Sequence, residues 1–184
     1  ASLTLGTGSG TVLTLSNGTG ALVLTSAGIA AVIGGTVAVT LPGVSLTGTL
    51  AVELNTTGTA IDDSVRVGST DLPVVVPADS GGYLRVVGTG IVLTLPGVTL
   101  TGDLTVTKSG PSVAVSVAGA TLDLGGLVTL TGATASFTSD STGVVGSFTG
   151  TLTLTLPGVA LGGTITAEVN TTTTDQAGIT AGTV

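Results

Sequence analysis

Three times the chain passes through Leu-Pro-Gly-Val, with its prolines at Pro42, Pro96 and Pro157, and each time a long run of strict apolar–polar alternation follows. In the first run Val44, Leu46, Gly48, Leu50, Val52 and Leu54 share one parity, while Ser45, Thr47, Thr49, Ala51, Glu53 and Asn55 share the other. The runs from Val98 and Val159 repeat this arrangement. Successive side chains of an extended chain point to opposite sides. Period-two alternation therefore predicts a strand with one buried face and one wet face. At about 3.3 Å per residue each such strand spans on the order of 35 Å. The residues before each Pro-Gly alternate as well: Leu152, Leu154 and Leu156 stand against Thr151, Thr153 and Thr155. Pro fixes the first central φ of a type II turn and Gly accepts the positive second one, so each unit reads as an antiparallel hairpin. A reversal between two stacked sheets is the rival geometry for the same residues. Asn17-Gly18 reads as a further tight turn.

Gly48, Gly102 and Gly163 fall at the same place on the apolar parity of the three copies. A strand glycine weakens the strand unless it bends the sheet or admits a close neighbour. Its recurrence points to a kink or a close sheet contact.

Composition agrees with strands. Val and Thr are abundant and favour a pleated surface over a helix. Charged residues are 7% and aromatics 2%, whereas 42% of the chain is hydrophobic. The expected fold class is all-β: elongated two-layer antiparallel β repeats built from long hairpins, with a β-solenoid as the alternative. The apolar side chains are nearly all Val, Leu, Ile and Ala, which predicts a thin core. An isolated hairpin of this kind buries little against its backbone entropy, so neighbouring repeats are expected to supply the missing burial.

The repeat is longer than one hairpin. The three prolines are separated by 54 and 61 residues, and the first and third copies both end in Asn-Thr-Thr, at Asn55 and Asn170. Ala1 onward also matches Ala120 onward. We read residues 1–119 as one full repeat of two hairpin units and residues 120–184 as the first half of the next. An acidic insert at 55–82 interrupts the pattern, with short strands expected at Ser-Val-Arg-Val and Leu-Pro-Val-Val-Val.

The chemistry open to the chain is narrow. It has no Cys and no His, so thiol chemistry, imidazole catalysis and a Ser-His-Asp triad are excluded. Three cations against ten acids, a net charge of −7, leave no basic patch for nucleic acid. No apolar run reaches the ~20 residues of a membrane span. Asp62-Asp63 makes a poor catalytic pair, because neighbours on a strand face opposite ways; no enzyme is expected. Asp62, Asp63 and Asp79 are the candidate metal ligands, for calcium, which takes six to eight oxygens. No other cofactor is implied. Asn17, Asn55 and Asn170 each begin a glycosylation triplet. The insert at 55–82 is the best place for a binding loop on a rigid scaffold.

The segments VTLPGVSLTGTLAVELNTTGTAIDD and VPADSGGYLRVVGTGIVLTLPGVTLTGDLTV resemble the tandem β-repeats of very large bacterial secreted or surface, adhesin-like proteins. The resemblance covers nearly the whole chain, is strongest from Val37 to Val106, and brings no catalytic residues with it. It implies an extracellular or cell-surface stalk or fibre, with calcium-binding modules elsewhere in such chains. The expected partners are copies of itself or neighbouring repeats. The alternative is an adhesin-type module recognising a glycan or surface protein, with or without calcium.

Overall fold

The computed structural model describes residues 1–7 and 10–184, with side chains for 1–4 and 13–184. The protein is all-β: among the described residues 77% lie in strands and none in a helix. Strands β1 (Leu3–Thr7), β2 (Gly10–Thr25), β3 (Gly28–Leu41) and β4 (Val44–Asn55) open the chain. A short pair follows, β5 (Ile61–Val67) and β6 (Thr70–Val76). The rest comprises β7 (Tyr83–Leu95), β8 (Val98–Ser109), β9 (Ser112–Leu124), β10 (Val128–Asp140), β11 (Gly143–Leu156) and β12 (Val159–Asn170). Ten of these form one sheet in chain order, β1-β2-β3-β4-β7-β8-β9-β10-β11-β12, and β5-β6 form a separate two-stranded sheet. Every pairing is antiparallel and the large sheet is not closed into a barrel. The layers are therefore unequal, and the antiparallel meander replaces the parallel coils that a solenoid would need.

The Pro-Gly hairpins form as the sequence indicates. Leu41 pairs with Val44, Leu95 with Val98 and Leu156 with Val159, leaving Pro-Gly as a two-residue loop each time. Gly43, Gly97 and Gly158 have φ of +75°, +74° and +79°, the sign a type II turn requires at its second central residue.

Asn17-Gly18 is not a turn. β2 runs straight through it, with Ser16 opposite Thr36 and Thr19 opposite Gly34, so one extra residue bulges out of the strand. Asn17 has φ +52°. Bulge and tight turn both need a left-handed residue, and Asn-Gly suits either. Bulges recur in β7, β9 and β10, with Gly90, Gly119 and Gly132 at φ +59° to +60°. Paired registers set these bulges, together with Gly48 and Gly102, in one row across the sheet. Bulges bend a strand and increase its twist, and the close contact expected of the repeated glycine is present at Gly48 and Gly102. Gly48 lies under the Ile91 side chain, just past the β7 bulge, and a Cβ there would also stand 3.2 Å from Ile91 Cα. Gly102 has φ +151° and sits against Ala120, at 3.0 Å. Gly163 breaks the series: it lies on the last strand, and a Cβ there meets nothing within 4 Å.

The repeat is visible in the strands. β11 and β12 reproduce β3 and β4 residue for residue at an offset of 115, Gly28–Leu41 becoming Gly143–Leu156 and Val44–Asn55 becoming Val159–Asn170. Residue 119 lies within β9, and the sheet passes through it without a break.

One face of the large sheet is apolar apart from Lys108 and Ser139 near one end of their strands. It carries Val44, Leu46, Leu50, Val52 and Leu54 of β4, and the pairing places Ile33 of β3 and Val86 of β7 beside Val52. The parity survives the bulges, because each extra residue resets the side chains: Leu84 and Val86 before the β7 bulge share a face with Ile91 and Leu93 after it. The opposite face carries the threonines.

The core does not sit on the apolar face. The β5–β6 hairpin packs on the threonine face, over β2, β3 and β4. Val74 and Val76 are buried there against Ala21 and Ala30, with Val23, Val32, Ile61, Leu72 and Tyr83 around them. Ala21, Ala30 and Val32 make this corner apolar on both faces, so the run GALVLTSAGIAAVIGG lacks alternation for a physical reason. The expectation of one buried apolar face and one wet face is corrected accordingly. Among the described residues no layer of this chain lies over the apolar face.

Candidate assembly surfaces

The sheet is finished at one end by the repeated Asn-Thr-Thr. Asn55 is completely buried. Its Oδ1 accepts from Thr57 N–H at 2.9 Å and from the Thr57 hydroxyl at 2.7 Å, while its Nδ2 donates to Thr59 O at 2.7 Å and Pro77 O at 2.8 Å. Asn170 repeats the arrangement with Thr172, Thr174 O at 3.0 Å and Ile179 O at 2.8 Å. Thr56 Oγ1 accepts from Ile29 N–H at 2.9 Å, and Thr171 Oγ1 from Val144 N–H at 2.8 Å. These hydroxyls fill the space a Cβ would need at Gly28 and Gly143, both at 2.6 Å. Each residue of the triplet thus has a structural task. Asn55 fastens the returning end of the 55–82 insert to the sheet, and Asn170 fastens the segment after β12. Asn55 and Asn170 spend both amide hydrogens on backbone carbonyls, so neither offers a glycan attachment point in the folded chain; Asn17 is exposed.

The insert carries the short strands expected of it, since Ser64–Val67 lie in β5 and Leu72–Val76 in β6. Its carboxylates do not converge. Asp62 and Asp63 are consecutive on β5, opposite Val75 and Val74, and project to opposite sides. Asp63 accepts from Ser64 N–H at 2.7 Å. Asp79 lies beyond the hairpin and accepts from the Ser109 hydroxyl and, at 2.8 Å, from Gly81 N–H. The Ser109 hydroxyl first, and then the Gly81 amide, hold the Asp79 carboxyl below the usual carboxylate range. Lys108 Nζ donates to Gly110 O at 3.0 Å and Gly81 O at 3.2 Å. Asp79 and Lys108 therefore clamp the return loop to the β8–β9 turn. Among the described residues no group of three or more acids stands close enough to hold a metal ion.

The other polar cluster is also an internal tie. Glu53 and Arg85 are directly opposite on β4 and β7, with Nη1 to Oε1 at 3.0 Å, and the Tyr83 hydroxyl donates to Glu53 at 3.4 Å. Burial, and then the Glu53 charge, raise the Tyr83 phenol above its ordinary value.

Besides the outer edge of the short strand β1, two larger surfaces are left without an internal task. One is the outer edge of β12, where from Val159 to Val169 no strand among the described residues pairs. Edge strands are commonly guarded by Lys, Pro or a bulge. β12 has none of these, and Glu168 is its one charged residue. The other is the apolar face. All the exposed Leu, Ile and Val side chains described in the large sheet lie on it, including Leu22 at 53%, Leu24 at 73% and Leu161 at 60% exposure. Among the described residues no helix is long and apolar enough to cross a membrane. No protein-family model, curated protein or solved structure matches the chain.

Proposed function

We propose that the chain is a non-enzymatic structural segment of an extracellular or cell-surface fibre, joined to its neighbours through sheet edges and the stacking of repeats. The observation that carries this reading is the repeat equivalence of β4 and β12, one of which has a strand on its outer edge and the other none. The two strands are equivalent at the 115-residue offset, follow the same Pro-Gly turn and end in the same buried asparagine. β4 gives its outer edge to β7, from Ser45 opposite Thr94 to Asn55 opposite Tyr83. At Gly48 that neighbour lays Ile91 over the missing side chain. β12 keeps the corresponding Gly163, although nothing lies over it. A glycine costs a strand stability, and at Gly163 it is useful only when a strand like β7 arrives. Main-chain hydrogen bonds along such an edge give affinity, and the alternating side chains set the register.

Residue-resolved amide exchange tests this. On concentration into an assembled state, the alternate β12 amides that face outward should slow to the rates of the corresponding β4 amides, and electron micrographs should show rods or fibres. Fast exchange along β12 in every state, with compact single particles, would refute the reading.

A further inference from the structure

We infer that the apolar face is a docking surface for the same face of a second copy of this chain, so that two sheets close into a sandwich between molecules. This goes beyond edge joining and stands or falls independently of it.

Three observations support a second copy as the occupant. The first is extent. Ten strands spaced at about 4.8 Å, each rising about 3.3 Å per residue, give a face on the order of 40 Å in each direction, or about 1,600 Å². Contiguous exposed apolar patches on monomers seldom pass about 600 Å². A standard stable interface covers about 800 Å² on each partner, so half the face would suffice where sheet twist limits contact.

The second is charge. None of the ten acids stands on this face. Glu53, Asp103, Asp123, Asp140 and Glu168 take the opposite parity in the large sheet, and the remainder lie in β5, β6 and loops. Lys108, at one strand end, is the single charge of that parity and is tied to backbone carbonyls. A chain of net charge −7 can therefore meet its own copy here with every carboxylate turned outward. The same charge opposes approach to an anionic membrane.

The third is relief. The face is built from Val, Leu, Ile, Ala and Gly of modest height, with Phe137 and Phe148 as its aromatics. Foreign partners usually insert an aromatic or Arg anchor into a pocket. A low, even aliphatic sheet is matched by another, at the spacing of about 10 Å found between packed sheets.

Sedimentation equilibrium of the intact chain tests the inference. At concentrations below those that give rods, the wild type should rise from 17.3 kDa to twice that mass. Leu100→Lys with Leu104→Lys should return it to monomer, as should Leu22→Lys with Leu24→Lys, a second pair at more exposed positions. Thr94→Lys with Thr153→Lys adds the same charge to the other face and should leave the dimer intact. Circular dichroism of each variant checks that the strands persist. A wild type that stays monomeric, a dimer unaffected by both leucine pairs, or a monomer that floats with phosphatidylcholine vesicles would overturn the inference. Slow β12 exchange that survives the leucine substitutions would leave edge joining standing alone, and a dimer with fast β12 exchange would leave only the face.

Discussion

Asn55→Ala is expected to lower the stability of the chain by about 2–4 kcal/mol, given about 1–3 kcal/mol for each buried polar group left unpaired. The side chain is fully buried and each of its atoms is used. Truncation strands the Pro77 carbonyl and the Thr57 amide at once, while the Thr59 carbonyl keeps the Thr57 hydroxyl at 3.0 Å. The loss falls on one connection, the fastening of the insert to the sheet, so β5 and β6 should exchange amide protons faster than the strands around them. Asn55→Asp is expected to do no better. A carboxylate keeps the acceptor for Thr57 but sets a negative charge against two carbonyl oxygens. Asn170→Ala should act in the same direction on the segment that carries Ile179. Urea midpoints measure all three, and an Asn55→Ala midpoint indistinguishable from wild type would show that the buried asparagine is not the fastening.

The second large effect separates two equivalent glycines. Gly48→Val forces a branched side chain into space held by Ile91 and should cost about 1–3 kcal/mol, the usual range for overpacking. Gly163→Val meets open space and should change stability by less than about 0.5 kcal/mol, as exposed substitutions commonly do. The same Gly163→Val should nevertheless weaken assembly, because it fills the place where a neighbour's side chain would lie. A variant of normal stability that no longer forms rods is the combined result expected. Equal costs at the two positions would contradict the account of the bulge row.

Much of this fold was legible in the residues. Alternation around Pro42, Pro96 and Pro157 gave strands, parity and turns together, because period two, a proline φ and a glycine φ all specify one local geometry. The strands of the insert were legible from their β-branched residues. What was misread had competing local solutions. Asn17-Gly18 satisfies a hairpin turn and a bulge equally well, and only the partner strand, with Thr36 opposite Ser16, decides between them. The side chosen by the second layer was hidden because alternation reports which face is apolar, not which is covered. The signal was present in Ala21, Ala30 and Val32, which make the threonine face greasy at one corner. The Asn-Thr-Thr triplets looked like surface sequons, yet their recurrence at the ends of equivalent strands was the clue to a structural role. The three candidate calcium acids share one insert, yet the β5 strand sends Asp62 and Asp63 to opposite sides and Asp79 lies beyond the hairpin.

Labelling along β8 bears most directly on the central claim, that an ordered sheet leaves its greasy side for another molecule to cover. The chain contains no cysteine, so single Cys substitutions from Val98 to Thr107 can each carry one polarity-sensitive dye. In concentrated samples the dye should report an apolar setting at Val98, Leu100, Leu104 and Val106 and a watery one at Thr99, Thr101, Thr105 and Thr107. On dilution the first set should turn watery while the second stays unchanged. Two sets that respond alike at every concentration, or protection on the threonine side, would contradict it.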